Sequence, residues 1–186
     1  DVIWFTGGDQ SRITEVLGTP SAPSGALRAV TRRLAAGATV GGTSAGAAIM
    51  SPRMIVGGSS EQALFLGMAP SGEVDQEAGG LLTGEGLGFF RFGWIDQHFD
   101  AKARLGRLIL ALGADGEASR TGFGIDENTA LVVDLEEAQA TVAGSGRVTR
   151  VFLPGALPAG PPYAMQGIRI DSLGAGDRLH LRGESV

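Results

Sequence analysis

Short apolar runs and stretches with helical apolar spacing alternate along the first third of the chain. The run at residues 2–5 is typical of a buried strand. Helical spacing follows at residues 25–36, where Ser24 is placed to cap the helix. A second short strand at 38–40 leads into a turn, and a helix is expected at 45–50. This order predicts an α/β fold with a mostly parallel sheet and helices on both of its faces.

The second half of the chain combines one strong helix with several strands. Residues 101–114 predict a helix, because their leucine and isoleucine residues recur at helical spacing. Residues 122–134 predict a strand that is interrupted near Asn128. A C-terminal extension follows, in which residues 140–143 and 148–153 are expected to form a β-hairpin before one or two terminal strands.

The composition narrows the class of protein. The chain has 186 residues, of which 43% are hydrophobic, and this length suits a single catalytic domain. A net charge of −5 argues against binding of nucleic acid, which needs a basic face. No apolar run approaches the roughly 20 residues of a spanning helix, so no membrane partner is expected. Without cysteine, disulfides and thiolate metal sites are excluded. We expect a cytoplasmic protein, with secretion left open.

The segment Gly42-Thr43-Ser44-Ala45-Gly46 matches the nucleophile-elbow pattern G-x-S-x-G. In such an elbow, a serine between a strand and a helix projects its hydroxyl from the sheet, and the glycines avoid clashes. The segment lies between a predicted strand and a predicted helix, which favours Ser44 as a nucleophile. A plain tight turn is the alternative, because glycine is abundant in this chain, with 31 residues.

A nucleophilic serine needs a base, and the chain has two histidines. His180 lies in an alternating terminal strand and is expected to face solvent. His98 lies just before a predicted helix, at a junction of the kind where functional side chains concentrate, and is the better candidate. A carboxylate must orient this base. Glu127 and Asp126 lie in an otherwise apolar stretch, and Asp96 is not excluded.

Four short motifs occur in one order along residues 1–134. They are Thr6-Gly7-Gly8-Asp9-Gln10, Gly42-Thr43-Ser44-Ala45-Gly46-Ala47, Asp96-Gln97-His98-Phe99 and Gly124-Ile125-Asp126-Glu127. Together they closely resemble the cyanophycinase branch of peptidase family S51. The resemblance implies a glutamine-amidotransferase-like α/β domain, in which serine replaces cysteine as the nucleophile. The order serine, histidine, carboxylate also differs from that of the α/β-hydrolases.

The resemblance implies a role for each matching residue. Ser44 would be the nucleophile, His98 the general base and Glu127 the acid that orients it. The backbone N–H groups of Gly8 and Ala45 would form the oxyanion hole. The other matching residues would bind substrate, and they are Gln10, Asp96, Gln97, Lys102, Arg104 and Arg107.

Lys102 departs from the family, whose members carry arginine there. Lysine is a point charge, whereas the planar guanidinium of arginine can bind a carboxylate through two hydrogen bonds. The departure therefore leaves the exact substrate open. Arg104 flanks the apolar stripe of the predicted helix and could face a site. Arg107 lies further round the helix and, from the pattern alone, is expected to be a solvated charge.

The activity that the resemblance implies is hydrolysis of β-aspartyl peptide bonds, as in cyanophycin, through an acyl-enzyme and without a metal or cofactor. An α-aspartyl dipeptidase of the same family and a catalytically silent binding domain are the alternatives. A glutamine amidotransferase would need a cysteine. Four acidic residues could attract the arginine side chains of cyanophycin by their charge, although the favoured interpretation is that they are ordinary surface residues of a loop. They are Glu73, Asp75, Glu77 and Glu85.

The expected partners follow from the same resemblance. The substrate would be a peptide with an aspartyl residue. Family members carry about two further βα units before the Gly7-Gly8-Asp9-Gln10 loop, so we expect a preceding segment or a separate chain that completes the sheet. We also expect a homo-oligomer, namely a dimer.

Overall fold

The computed structural model describes residues 1–69, 79–114, 120–155, 160–161, 163 and 165–181. In these ranges the chain forms five helices and thirteen strands. The helices are α1 (Gln10–Leu17), α2 (Gly25–Ala35), α3 (Ala45–Ala48), α4 (Ser60–Leu66) and α5 (Leu105–Ala114). The strands are β1 (Val2–Phe5), β2 (Gly18–Thr19), β3 (Ala22–Pro23), β4 (Thr39–Gly42), β5 (Arg53–Gly57), β6 (Leu82–Glu85), β7 (Trp94–Gln97), β8 (Thr121–Ile125), β9 (Thr129–Asp134), β10 (Gln139–Gly144), β11 (Val148–Phe152), β12 (Arg169–Leu173) and β13 (Arg178–His180).

Two parallel strand pairs carry the segments that hold the candidate site. β1 pairs with β4 as far as Phe5 opposite Gly42. β7 pairs with β8 as far as Gln97 opposite Ile125. The loops that follow these four strands therefore begin at the carboxyl ends of parallel strands, which is where open α/β sheets bind ligands.

The sheets are mixed, so the expectation of a mostly parallel sheet is not confirmed. β11 pairs antiparallel with both β8 and β12, giving a sheet of order β12-β11-β8-β7. β9, β10 and β13 form a second sheet that is antiparallel throughout. Among the described residues, the parallel pairings are those of β1 with β4 and β7 with β8, next to the candidate site, and one isolated bridge.

The predicted hairpin between residues 140–143 and 148–153 is wrong. β10 pairs with β9 and β11 pairs with β8, so the turn between β10 and β11 leads from one sheet to the other. The true hairpin is β9–β10. Its turn is stabilised by the Asp134 carboxylate, whose Oδ1 accepts the backbone N–H groups of Glu136 and Glu137 at 3.0 and 3.0 Å. Such turns are a common use of aspartate.

Helix α5 lies in the main core. It begins at Leu105 rather than at residue 101, because Ala103 has a φ of 48°, which a right-handed helix does not allow. Leu108 and Leu112 are completely buried, whereas Leu105 is 36% exposed. Within the described residues, no helix is both long enough and apolar enough to cross a membrane.

The outer face of β1 is uncovered in the described part of the chain. Its side chains alternate, with Ile3 and Phe5 half-buried and Val2 and Trp4 exposed at 71% and 60%. The described residues pair only one edge of β1, that facing β4. The additional segment expected at this sheet stays a prediction.

Leu108→Ala should lower the free energy of unfolding by about 2–5 kcal/mol, because it opens a cavity in the core between α5 and β8. Chemical denaturation measures this loss. Leu105→Ala is the matched control on the same helix and should cost clearly less, since Leu105 is 36% exposed. Equal losses for the two variants would contradict this packing of α5.

Candidate active site

Ser44 lies on a strained turn between β4 and α3. Its backbone has φ 55° and ψ −117°, a conformation that residues with a Cβ rarely adopt. A Cβ added at Gly42 would lie 2.2 Å from the Gly46 carbonyl oxygen, and one added at Gly46 would lie 2.1 Å from that of Phe5. Both positions therefore require glycine. The Ser44 hydroxyl does not cap α3, which leaves it available for another partner.

His98 is the partner of the Ser44 hydroxyl. It follows the last residue of β7, and its φ of 47° is also in the left-handed region. The distance from His98 Nε2 to Ser44 Oγ is 3.0 Å. This is the geometry in which a neutral imidazole accepts the hydroxyl proton, provided that its own proton is on Nδ1.

Glu127 lies at the other ring nitrogen of His98. It lies two residues beyond β8, the parallel neighbour of β7, and its Oε1 is 2.9 Å from His98 Nδ1. The side chains of His98 and Glu127 are 31% and 56% exposed. The structure thus joins Ser44, His98 and Glu127 into one hydrogen-bonded series, from three segments that are distant in sequence.

The other candidates for base and acid lie elsewhere. Asp126 directs its carboxylate to the backbone N–H groups of Asp100 and Arg147, at 3.1 and 3.0 Å. Asp96 is buried and bound to an arginine. His180 is exposed on β13, opposite Gln139 of β10.

Both backbone segments expected to form the oxyanion hole lie beside Ser44. Ala45 is the first residue of α3, so its N–H has no acceptor within that helix. The loop after β1 passes close by, since a Cβ on Gly7 would lie 3.2 Å from that of Ser44. At Gly8 an added Cβ would meet nothing within 4 Å, so the space at this position is open.

The two glutamines that are expected to bind substrate, Gln10 and Gln97, differ in their contacts. Gln10 is held by its amide nitrogen, which donates to the carbonyl oxygens of Ile55 and Val56 at 2.9 and 3.1 Å. Gln97 is only 8% exposed, and its Oε1 has no hydrogen-bond partner among the described residues. A buried acceptor without a partner is unfavourable, which is typical of an atom that a ligand satisfies.

Arg107 is buried, and the expectation that it is solvated is wrong. Its Nε and Nη2 donate to the two carboxylate oxygens of Asp96 at 2.8 and 2.5 Å, and its Nη1 donates to the Gly58 carbonyl at 2.9 Å. Asp96 Oδ1 also accepts the N–H of Gln97 at 2.9 Å. The pattern missed this pairing because Asp96 lies on a strand and Arg107 on the following helix.

Arg104 and Lys102 lie on the turn between His98 and α5. Arg104 Nη1 donates to the Gln97 carbonyl and lies 3.6 Å from Asp96 Oδ1. Burial lowers the pKa of the Arg104 guanidinium, and the nearby Arg107 charge lowers that pKa further, against an opposing effect of Asp96. The Lys102 side chain is exposed, and its backbone N–H bonds to the His98 carbonyl at 3.1 Å.

Ser60 is a residue of the site region that the sequence predictions did not include. Its hydroxyl donates to the Ala103 carbonyl at 2.5 Å and accepts the N–H of Arg107 at 3.2 Å, which fastens the turn after His98 to α4. One sequence signal was present. Ser59 forms the capping box of α4 with Gln62, which leaves the adjacent hydroxyl available.

Most of the predicted acidic group lies outside the described residues. This applies to Glu73, Asp75 and Glu77. Glu85 is on β6, where it accepts a hydrogen bond from Ser21 at 2.8 Å. Hydrogen bonds from Thr19 and Ser21 lower the pKa of the Glu85 carboxyl.

Comparison with known families decides the relationship of the chain. Residues 1–141 match the model of peptidase family S51. The chain belongs to peptidase family S51. Membership confirms the resemblance seen in the four motifs, and the matched range includes the turn of Ser44, His98 and Glu127.

Curated relatives of this S51 chain are named cyanophycinase. One from Geminocystis herdmanii (strain PCC 6308) is 37% identical over 186 residues, covering 96% of this chain and 61% of that protein. Another, from Trichormus variabilis (strain ATCC 29413 / PCC 7937), is 36% identical over 194 residues, covering 99% and 58%. The chain therefore spans about three fifths of the length of these relatives.

A solved structure shares the fold of this S51 chain. It is the crystal structure of a peptidase from an acI-B1 Actinobacterium, with a TM-score of 0.60 at 20% sequence identity. The similarity covers 96% of this chain and 59% of that one. At this identity the similarity shows the fold alone.

Arg107→Met should lower the free energy of unfolding by about 3–5 kcal/mol, because it leaves the Asp96 carboxylate buried without its cation. The double variant Arg107→Met/Asp96→Leu should recover much of this loss. Arg12→Met is the matched control, since its partner Asp9 is 3.9 Å away and both side chains are exposed. A loss in Arg107→Met no larger than in Arg12→Met, measured in urea, would contradict a buried ion pair.

Proposed function

We propose that this chain is the catalytic part of a serine peptidase of the cyanophycinase type, which cleaves β-aspartyl peptide bonds. One observation carries the proposal. An unbroken hydrogen-bonded series runs from Ser44 Oγ through the His98 imidazole to Glu127 Oε1, at 3.0 and 2.9 Å. Membership of peptidase family S51 and the names of the curated relatives support it.

The series performs acyl transfer in two stages. Ser44 Oγ attacks the carbonyl carbon of the scissile amide, and His98 Nε2 takes the hydroxyl proton. The Glu127 carboxylate stabilises the imidazolium that forms. His98 then gives the proton to the leaving amine as the C–N bond breaks, which leaves an ester on Ser44. Water attacks this ester with His98 again as the base, and the acid product leaves.

The oxyanion of each tetrahedral intermediate needs donors that are already in place. The N–H groups of Ala45 and Gly8 supply them in this proposal, since both segments lie beside Ser44. The strained elbow contributes here as well. It holds Oγ and the Ala45 N–H on one rigid turn, so the attacking oxygen and one donor cannot move apart.

The aspartyl part of the substrate is held by the residues around Gln97. Its unpartnered Oε1 suits an N–H donor of the substrate, such as its amine. Arg104 and the exposed Lys102 suit a substrate carboxylate. Arg107 donates to Asp96 through Nε and Nη2 and to the Gly58 carbonyl through Nη1, so the Asp96–Arg107 pair positions Gln97 and does not contact substrate.

Ser44→Ala should abolish hydrolysis of β-aspartyl-arginine, with a loss of at least about 10³-fold in kcat, because it removes the hydroxyl that is bonded to His98 Nε2. Steady-state release of arginine measures the loss, and circular dichroism checks that the variant folds. Ser145→Ala changes an exposed serine in the turn between β10 and β11 and should keep full activity.

Labelling by a serine-directed phosphonylating reagent gives a second readout for the same variants. The wild type and Ser145→Ala should gain one label on the peptide that contains Ser44, and Ser44→Ala should gain none. Turnover by folded Ser44→Ala would contradict Ser44 as the nucleophile. An unlabelled wild type that turns nothing over would favour a silent binding domain instead.

The type of aspartyl peptide bond that is cleaved, β or α, distinguishes a cyanophycinase-type activity from that of an α-aspartyl dipeptidase. β-Aspartyl-arginine should be cleaved with a kcat/KM at least about tenfold higher than α-aspartyl-arginine, a difference of about 1.4 kcal/mol in transition-state binding. The two dipeptides differ only in which carboxyl carries the amide, so they are matched controls for each other. A preference for the α-linked dipeptide would identify an α-aspartyl dipeptidase.

A further inference from the structure

The carboxylate of Asp126 joins two segments that meet at the candidate site. Its Oδ1 accepts the N–H of Asp100, two residues after His98, at 3.1 Å. Its Oδ2 accepts the N–H of Arg147, in the turn between β10 and β11, at 3.0 Å. The backbone N–H of Asp126 donates in return to the Arg147 carbonyl at 3.1 Å. Asp126 is also the residue directly before Glu127.

These bonds continue the alignment of β7 with β8 beyond the end of the ladder. The last ladder pair is Gln97 opposite Ile125. Next, the Phe99 N–H donates to the Ile125 carbonyl at 3.2 Å, and the Phe99 ring lies where a Cβ on Gly124 would be only 2.2 Å away. The bond from Asp100 to Asp126 is the outermost of this series, and Glu127 follows directly after Asp126.

Because the side chains of His98 and Glu127 are partly exposed, their relative position depends on the alignment of the turns that follow β7 and β8. The side chains of His98 and Glu127 are 31% and 56% exposed, so packing does not restrict their rotation strongly. Thr129 restricts the acid from its other side, since its hydroxyl donates to the Glu127 carbonyl at 3.1 Å and accepts the Gly146 N–H at 2.9 Å. The turn that carries Glu127 is therefore fixed through its backbone and not through its side chain.

We infer that Asp126 is a positioning residue for the hydrolysis proposed above: its carboxylate locks the turn of His98 to the turn of Glu127 and so maintains the Nδ1–H tautomer of His98. Its hydrogen bonds go to Asp100 and Arg147, so it acts on the nucleophile and the base indirectly. It acts through the distance between His98 Nδ1 and Glu127 Oε1, which is 2.9 Å in the structure. This inference rests on the proposed function only for its kinetic consequence.

The kinetic test compares Asp126→Ala with Asp134→Ala in the full chain. Asp126→Ala should lower kcat for β-aspartyl-arginine about 10- to 100-fold, with KM changed less than about twofold, because a small misplacement of the base affects the reaction more than binding. Asp134→Ala removes the same type of carboxylate, which also accepts two backbone N–H groups, from the β9–β10 turn. It should leave kcat unchanged.

Two further variants separate positioning from a loss of folding. Asp126→Asn keeps one acceptor oxygen and should lose less activity than Asp126→Ala, and it serves alone if Asp126→Ala does not fold. In a Glu127→Ala background, Asp126→Ala should cost less than about threefold more, since the acceptor for His98 Nδ1 is already gone. Full additivity of the two losses would overturn the inference.

A spectroscopic readout does not depend on turnover. The chain has two histidines, so ¹⁵N-histidine labelling gives two imidazole spectra, with exposed His180 as the internal reference. In the wild type and in Asp134→Ala, the His98 nitrogen shifts should report the Nδ1–H tautomer. In Asp126→Ala they should move towards the Nε2–H tautomer while His180 stays constant. An unchanged His98 tautomer in folded Asp126→Ala overturns the inference, even if the wild type proves inactive on every aspartyl peptide.

Discussion

The parallel register of β7 on β8 is the constraint on which the candidate site depends. His98 and Glu127 each follow one of these strands, so the ladder sets the separation of their backbones. A slip of one residue moves a strand end by about 3.3 Å, more than the tolerance of a hydrogen bond. The bond between His98 Nδ1 and Glu127 Oε1 would then be lost. The carboxyl ends of parallel strands thus provide a geometry that no local motif could provide alone.

Backbone strain is present at two of the three residues of the hydrogen-bonded series. Ser44 and His98 both have positive φ, and such conformations cost of order 1–3 kcal/mol each. The surrounding structure offsets this cost. The elbow glycines allow the backbone of α3 to approach β1, and Ser60 fastens the turn after His98 to α4. Beneath these turns lie a buried ion pair and the apolar core of α5. The strained segments are therefore held from several directions.

The sequence predicts the parts of the site that depend on rare residue types. One elbow and two histidines leave few combinations, and the structure brings Ser44, His98 and Glu127 together as expected. Local pattern failed where partners are distant. The turn before β10 and the turn after it are both compatible with a hairpin. The choice of β9 as the partner of β10 depends on which strands share a sheet, and local pattern does not contain that information.

Charged residues show the same limit. Spacing assigns Arg107 to the solvent, because an isolated arginine on a helix is normally exposed. Its partner Asp96 lies on β7, and the contact exists only once that strand and α5 pack together.

The ion pair of Arg107 and Asp96 is almost completely removed from water, with 6% and 2% of the two side chains exposed. Dissolved ions screen charges that they can surround, within a Debye length of about 8 Å at physiological ionic strength. They cannot enter between these two groups. Arg107 and Asp96 therefore keep their electrostatic attraction at high salt concentration, where surface ion pairs such as Arg12–Asp9 lose theirs.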